Sequence, residues 1–418
     1  MEKGTQLTAQ LSVGKKVVLG LQHVLAMFGA TVLVPLLTGL DPSIAILGAG
    51  IGTLIFHAVT KGKVPVFLGS SFAFITAITL TLDGSGIGAV KTGIIAAGLI
   101  YVLVAGLIKL FGVQRVHSLF PPIVTGPIII VIGLRLSPSA IENAFFHTVD
   151  GASVFYWQGA IVAMVVLITM IIVSIFAKGF FQLVPILISV IVGYLLALAM
   201  GMVNTAEIAA APWIGLSAEG IQYLKAAPEI SWSGILAIAP IALVVFVEHI
   251  GDITTNGAVV GQDFFQDPGI HRTMLGDGLA TIVAGLIGAP ANTTYSENTG
   301  VLAVTKVYDP SIIRIAAVFA IVLSMFGKFG AFVRTIPGPV MGGISIVLFG
   351  MIASVGLRIL INAKLDFSHS RNLLIAAVIL VMGIGIDNLP IYGDITISGL
   401  AIAAIAGVIM NKVLPEEI

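Results

Sequence analysis

The chain has 418 residues, of which 58% are apolar without counting Gly and only 10% are charged, and its mean hydropathy is +1.11. A soluble domain typically has about 45–50% apolar residues with Gly included and about 25% charged ones, so a bilayer is the solvent that fits this composition. Lys plus Arg (20) balance Asp plus Glu (20), which leaves no net basic charge to attract nucleic acid, and the absence of Cys excludes disulfides, thiolate catalysis and Cys-based zinc sites.

The chain opens on a polar stretch, MEKGTQLTAQLSVGKK, with no apolar core followed by small residues. It does not read as a cleaved signal peptide, so the first apolar run is expected to direct insertion. A crossing needs roughly 20 apolar residues, and about fourteen such runs follow. They lie near 16–38, 43–60, 65–81, 90–112, 121–138, 157–178, 181–201, 234–257, 273–289, 292–306, 311–330, 337–357, 371–387 and 396–413. The third and tenth are short, polar in the middle and rich in Ser and Thr. With both termini inside, the cytoplasmic side collects about 15 of the basic residues, as the positive-inside rule asks. The long external loop near 202–232 carries only Lys225.

Three internal matches share one offset. FPPIVTGPIIIVIGL from Phe120 resembles IPGPVMGGISIVLFG from Ile336, GAGIGT from Gly48 resembles GDGLAT from Gly276, and Gln22-His23 sits like Glu248-His249, all displaced by roughly 217–228 residues. The predicted architecture is an all-α polytopic membrane protein of about fourteen segments in two seven-span repeats. An odd number per repeat inverts the second copy. Inverted repeats with a pair of interrupted spans at matching positions point to a secondary transporter's midplane site.

Four acids fall inside these runs: Glu248, Asp252, Asp277 and Glu297. Each costs about 3 kcal/mol at a bilayer centre and is by default a functional hypothesis. Glu248 and Asp252 are spaced i, i+4 on one helical face, where like charges disfavour joint ionisation; that suits a proton carrier. Asp277, near the start of its run, also fits a plain helix cap. His249 points about 100° away from Glu248 and reads as an inter-helix packing residue. His57 reads as interfacial. His23, Asp277 and Asn298 are candidates for supporting roles. No His and acid spacing matches a metal site, which leaves a proton or Na⁺ as the coupling ion.

Breaking a membrane helix frees backbone groups, which is tolerated only where they line a cavity. GSSFAF would offer freed amides beside Phe72 or Phe74, and TTYSEN would offer them beside Glu297. Glu248 and Glu297 add acceptors. Such a slot fits a flat, uncharged heterocycle with alternating N–H and C=O groups. No basic residue is expected deep in the spans, which disfavours an anionic substrate.

The segment ENTGVLAVTK from Glu297 resembles the signature of the nucleobase–ascorbate transporter family. LQHVLAMFGATVLVP, GKVPVFLGSSFAFI, EHIGD, DPGIHRTMLGDGL and IPGPVMGG agree with it, so the resemblance covers nearly the whole chain. Within the family the chain looks most like the bacterial uracil permeases, which are uracil:proton symporters. The resemblance implies a core domain (1–115 with 231–334) and a gate domain (116–230 with 335–418). It also implies short antiparallel strands in spans three and ten, with the base bound between them. By position, Glu248 and Glu297 would accept from ring N–H groups. The amides of Phe72 and Ser296 would meet the carbonyls, Phe72 would pack on the ring, and Ala30 and Tyr295 would line the pocket. Glu248, Asp252 and Glu297 would share the coupling proton. A homodimer working by elevator-like movement, in the bacterial inner membrane, is implied as well.

Two positions depart from the uracil permease pattern: Asp252 stands where His is usual, and Ser296 where Gly is usual. Asp277 is more like the xanthine or urate carriers, yet those usually have Gln where this chain has Glu297. A purine symporter is therefore the near alternative, and a sulfate-type anion transporter the distant one, opposed by two carboxylates. A membrane-embedded enzyme would need a nucleophile with its base, or a metal cluster, and neither pattern is found. A passive channel fits less well than coupled alternating access.

Overall fold

The computed structural model describes residues 11–117, 121–149, 151–392 and 395–415. Most of the polar start and Phe120, the first residue of one repeat match, lie outside them. The first half runs α1 (Val13–Thr38), α2 (Pro42–Val59), β1 (Leu68–Ser70), a 3₁₀ turn (Phe72–Phe74) and α3 (Ile75–Phe111). It continues through the short α4 (Val113–His117), α5 (Pro122–Phe145), the hairpin β2 (Phe146–Val149) and β3 (Ala152–Phe155), α6 (Trp157–Phe176) and α7 (Pro185–Ala199). Two short helices, α8 (Thr205–Ala210) and α9 (Ala218–Lys225), fill the predicted external loop. The second half runs α10 (Trp232–Ile238), α11 (Ala242–Val260), α12 (Ile270–Ile287), β4 (Asn292–Thr294), α13 (Ser296–Thr305), α14 (Pro310–Ser324) and α15 (Gly327–Arg334). It closes with α16 (Gly338–Asn362), α17 (Ser370–Gly385), the hairpin β5 (Asn388–Tyr392) and β6 (Ile395–Ser398), and α18 (Gly399–Val413).

The protein is mostly helical, and several of its helices are long and apolar enough to cross a bilayer. By length and composition seven qualify among the described residues, or eight if α14 and α15, bent by 82°, make one span. α7, α17 and α18 are apolar but shorter. Helix α3 would be about 55 Å long if straight, far more than a hydrocarbon core of about 30 Å. It is broken at Gly86 (φ 79°, ψ 179°), a conformation that a side chain disfavours, and the third and fourth apolar runs part there. The eighth run is interrupted too, at a 3₁₀ turn around Pro240 between α10 and α11.

The helices pack in two groups. In one, α12 lies against α2 and α3, α14 against α1 and α2, and α10 against α3. In the other, α5 packs on α16, α6 on α7 and α16, and α17 on α18 and α5. Small residues set the closest approaches. A Cβ added to Gly98 of α3 would sit 2.7 Å from the Gly278 carbonyl of α12, so only a bare backbone fits that crossing.

Strand β1 pairs antiparallel with β4, in the register Leu68↔Thr294, Gly69↔Thr293 and Ser70↔Asn292. These two elements occupy matching places in the two halves, so the halves run in opposite directions where they meet. The pairing satisfies backbone groups that hydrocarbon would leave bare. All six residues are buried. The strands are pinned from outside by Thr53, whose Oγ1 accepts from Leu68 N at 2.9 Å, and by Asn292, whose Nδ2 donates to Gly48 O at 3.1 Å.

Candidate functional site

Each strand of the small sheet leads directly into a helix. Ser71 N bonds Ala291 O at 2.9 Å and Tyr295 N bonds Phe67 O at 3.0 Å, which ends the ladder. The next residues, Phe72 and Ser296, open a 3₁₀ turn and helix α13, and neither start has a side-chain cap. Uncapped helix starts leave backbone N–H donors without intrahelical partners. Two sets of such donors thus face out from one sheet, beside Phe72 on one side and Glu297 on the other. Phe74 is fully buried and Phe72 only partly, so of the two aromatic residues Phe72 is the one at the open side.

Helix α11 brings two more carboxylates. Glu248 is exposed, although it sits in the middle of an apolar helix; Asp252, one turn on, is half-buried, as is Glu297, and Ser296 is exposed. Both Asp252 oxygens are engaged: Oδ2 accepts from Thr294 Oγ1 at 2.9 Å, and Oδ1 accepts from Ser296 Oγ. One turn further, Asn256 Nδ2 donates to Thr299 Oγ1 at 3.0 Å and to Pro65 O at 3.2 Å. Helix α11 is thereby stitched to β4 and α13 along two turns. Glu248 lies within electrostatic range of Asp252, Glu297 and Asp277, so four carboxyl groups share one neighbourhood. Helix α11 also touches α5 of the other helix group. A small apolar cavity lined by Ala73, Thr76, Ile132, Arg135 and Leu400 lies beside it.

The remaining candidates sit deeper. Ala30 is fully buried and Tyr295 nearly so, in a cluster with Phe67 and Ile75. The Tyr295 hydroxyl donates to Ser70 O at 2.8 Å, and the ring fills the space over Gly69. A Cβ on Gly69 would lie 2.4 Å from two Tyr295 ring carbons. Gly69→Ala is therefore expected to destabilise the protein by about 1–3 kcal/mol through overpacking. A thermal unfolding midpoint equal to that of the wild type would mean the Tyr295 ring is not fixed as described. Buried Asn298 donates from Nδ2 to His23 Nδ1 at 3.0 Å and to His23 O at 3.1 Å, tying α13 to α1.

One sequence expectation is corrected. Asp277 is no cap: it is the eighth residue of α12, fully buried, with Oδ2 2.8 Å from His249 Nδ1. His57, in the last turn of α2, is buried within the protein, with Nε2 3.0 Å from Val66 O. Lys91 and Arg135 fall inside the apolar runs, toward their ends. Lys91 is fully buried, and its Nζ donates to Ala226 O at 2.7 Å and Leu286 O at 3.0 Å. Arg135 of α5 donates to Gly383 O at 3.1 Å and to Ile386 O and Asp387 O, each at 2.7 Å. Both cations thus serve carbonyls near helix ends, a use that composition does not distinguish from substrate binding. Thr294 and Thr299 escaped notice because hydroxyls are common in broken helices. Only the fold shows that they face Asp252 and Asn256.

A model described as the Permease family (Xan_ur_permease) matches residues 14–391. The chain belongs to this permease family. Among its relatives in that family, the uracil permease of Bacillus caldolyticus is 46% identical over 404 residues, covering 97% of this chain and 93% of that protein. The uracil permease of Bacillus subtilis (strain 168) is 45% identical over 398 residues, covering 95% and 92%. The uracil permease of Escherichia coli (strain K12) is 40% identical over 407 residues, covering 96% and 93%. Among solved structures, the transmembrane domain of the cyanobacterial bicarbonate transporter BicA superposes with a TM-score of 0.66 at 14% identity, covering 94% of this permease and 96% of that chain. The murine anion transporter Slc26a9 in its inward-facing state gives 0.68 at 12% identity, covering 96% and 68%. At such identities the likeness concerns the fold. Permease relatives and apolar helices together make this chain a multi-pass membrane protein.

Proposed function

We propose that this permease is a secondary active transporter that imports uracil together with protons. The observation that carries the reading is the open face itself: Phe72 opens one uncapped helix start, Glu297 stands at the other, and Glu248 of α11 lies within electrostatic range of Glu297. A pyrimidine dione has ring N–H donors between carbonyl acceptors, on a flat apolar ring. The carboxylates take the N–H groups, the Phe72 and Ser296 amides take the carbonyls, and the Phe72 ring packs on the base. The Ser296 hydroxyl is already given to Asp252, so its backbone amide is the donor left for substrate. Relatives named uracil permease over nearly their whole length support the choice of base.

In this reading the chain crosses the bacterial inner membrane fourteen times, both termini inside, as two inverted seven-span repeats. The core domain (1–115 and 231–334) carries the site past the gate domain (116–230 and 335–418) in an elevator-type step, within a homodimer. The carboxyl cluster of Glu248, Asp252 and Glu297 holds the coupling proton, since full joint ionisation of close acids is unfavourable. The anion transporters of like fold share the scaffold, but carboxylates at an open face repel an anionic substrate.

Uptake of labelled uracil into proteoliposomes, with and without an inward proton gradient and with unlabelled xanthine as competitor, tests the reading. Gradient-driven uptake that xanthine leaves intact is the expected result. Uptake of xanthine in preference to uracil would move the substrate to the purines. Uptake indifferent to the gradient would remove proton coupling.

A further inference from the structure

Behind the open acids lies a polar cluster with no opening. His249, Thr273, Asp277 and Tyr101 are all fully buried, at 0% exposure. His249 Nδ1 is 2.8 Å from Asp277 Oδ2, and Nε2 is 2.9 Å from Thr273 Oγ1. The Thr273 hydroxyl in turn donates to Ile270 O at 2.9 Å. A hydroxyl has one hydrogen. With that hydrogen on Ile270 O, Thr273 accepts from His249, and Nε2 carries a proton. The contact between Nδ1 and Asp277 then needs one more proton. Either it sits on Nδ1, giving an imidazolium against a carboxylate, or it sits on Oδ2, giving a neutral imidazole against a carboxylic acid. The total charge is zero in both.

Among the described residues the second Asp277 oxygen has no donor, and the Tyr101 hydroxyl has no acceptor. A buried polar atom without a partner is costly, and here the two needs are complementary. Gly98 and Gly278 bring α3 and α12 into backbone contact. Tyr101 lies about one turn beyond Gly98, Asp277 is next to Gly278, and Tyr101 is within electrostatic range of both Asp277 and Glu248. Its hydroxyl is the complementary donor nearest in kind to what Asp277 lacks, and a bridging water or a small approach of α3 to α12 would join them.

We propose that Asp277 and His249 keep one proton between them throughout transport, as a neutral unit completed by Tyr101 and Thr273. The unit positions the helix turn that bears Glu248 and is not a further coupling acid. This rests on the symporter reading above. The titratable groups within reach of the pair are Glu248 and Asp252 on the same helix, Glu297 on α13 and Tyr101 on α3. His57 of α2 and Lys91 of α3 also face α12 or its neighbours, each already bonded to a carbonyl.

Asp277→Asn tests the proposal. Its carboxamide donates to an unprotonated Nδ1 and accepts from Tyr101, keeping geometry and zero charge. The pH midpoint of uracil binding is expected to stay within about 0.3 unit of the wild type, because no charge beside Glu248 has changed. A shift of about one unit or more, or lost gradient-driven accumulation with exchange intact, overturns the proposal. A second measurement needs no substrate. The wild-type folded state holds one proton that the unfolded chain releases above about pH 6.5, so its unfolding midpoint falls with rising pH relative to Asp277→Asn. Parallel midpoints across that range would show that the pair holds no extra proton. Should Asp277→Asn fail to fold, Tyr101→Phe carries the binding test, with a lowered unfolding midpoint and an unshifted pH midpoint expected and a pH midpoint shift of about one unit overturning it. Wild-type protein that ignores uracil but passes the unfolding test would sink the transport reading and leave the neutral pair standing.

Discussion

Glu297→Ala is expected to abolish high-affinity uracil binding. In the proposed reading its carboxylate, half-buried at the start of α13, is the acceptor for a ring N–H. Removing it leaves a ring N–H of the bound base without its partner. A hydrogen bond to a charged group contributes about 1.5–3 kcal/mol, and the unpaired donor adds a penalty of similar size. At about 1.4 kcal/mol per decade, dissociation constants should rise by at least about 100-fold. The side chain is not closed in by packing, so truncation opens no sealed cavity and the protein should remain folded. Titration calorimetry on purified protein reads the effect directly. Unchanged affinity would remove Glu297 from the site.

Glu248→Gln is the second large effect, and it should separate binding from coupling. The amide keeps the size of the side chain and one acceptor oxygen but holds no exchangeable charge. Exchange of internal for external uracil needs only binding and reorientation. Accumulation against a gradient needs a group that takes a proton on one side and returns it on the other. Gradient-driven accumulation in proteoliposomes should fall at least about tenfold, as expected when a positioned proton-transfer group is removed. Accumulation that survives would move the coupling role to Asp252 or Glu297. Asp252 is the harder group to free for that work, since Thr294 and Ser296 both donate to it.

Hydrophobic periodicity made much of the fold legible. The runs read at 16–38, 43–60 and 157–178 correspond to α1, α2 and α6 within three residues, because a long apolar stretch has one cheap solution in a bilayer. What hydropathy reports is partitioning, not path. It therefore passed over the break at Pro240 and the 82° bend between α14 and α15, which interrupt no apolar run, and it said nothing of how the chain turns between runs, where the hairpins β2–β3 and β5–β6 form. The acids were legible one by one, since each is costly where it stands. Their partners were not. Asp252 meets hydroxyls 42 and 44 residues away, and His249 meets Asp277 at 28. Nothing local marks Tyr101, an ordinary aromatic in an apolar run, as the donor beside Asp277. Lys91 and Arg135 show the converse: conspicuous as charges, they bond to main-chain carbonyls, Arg135 also pairing with the Asp387 carboxylate.

The pairing of Leu68–Ser70 with Asn292–Thr294 has a consequence for the independence of the two halves. A half-length chain would carry one such strand into hydrocarbon with nothing to bond it. Each half thus completes the backbone of the other, and a polypeptide cut between them would have to bring its two pieces together before either strand is satisfied.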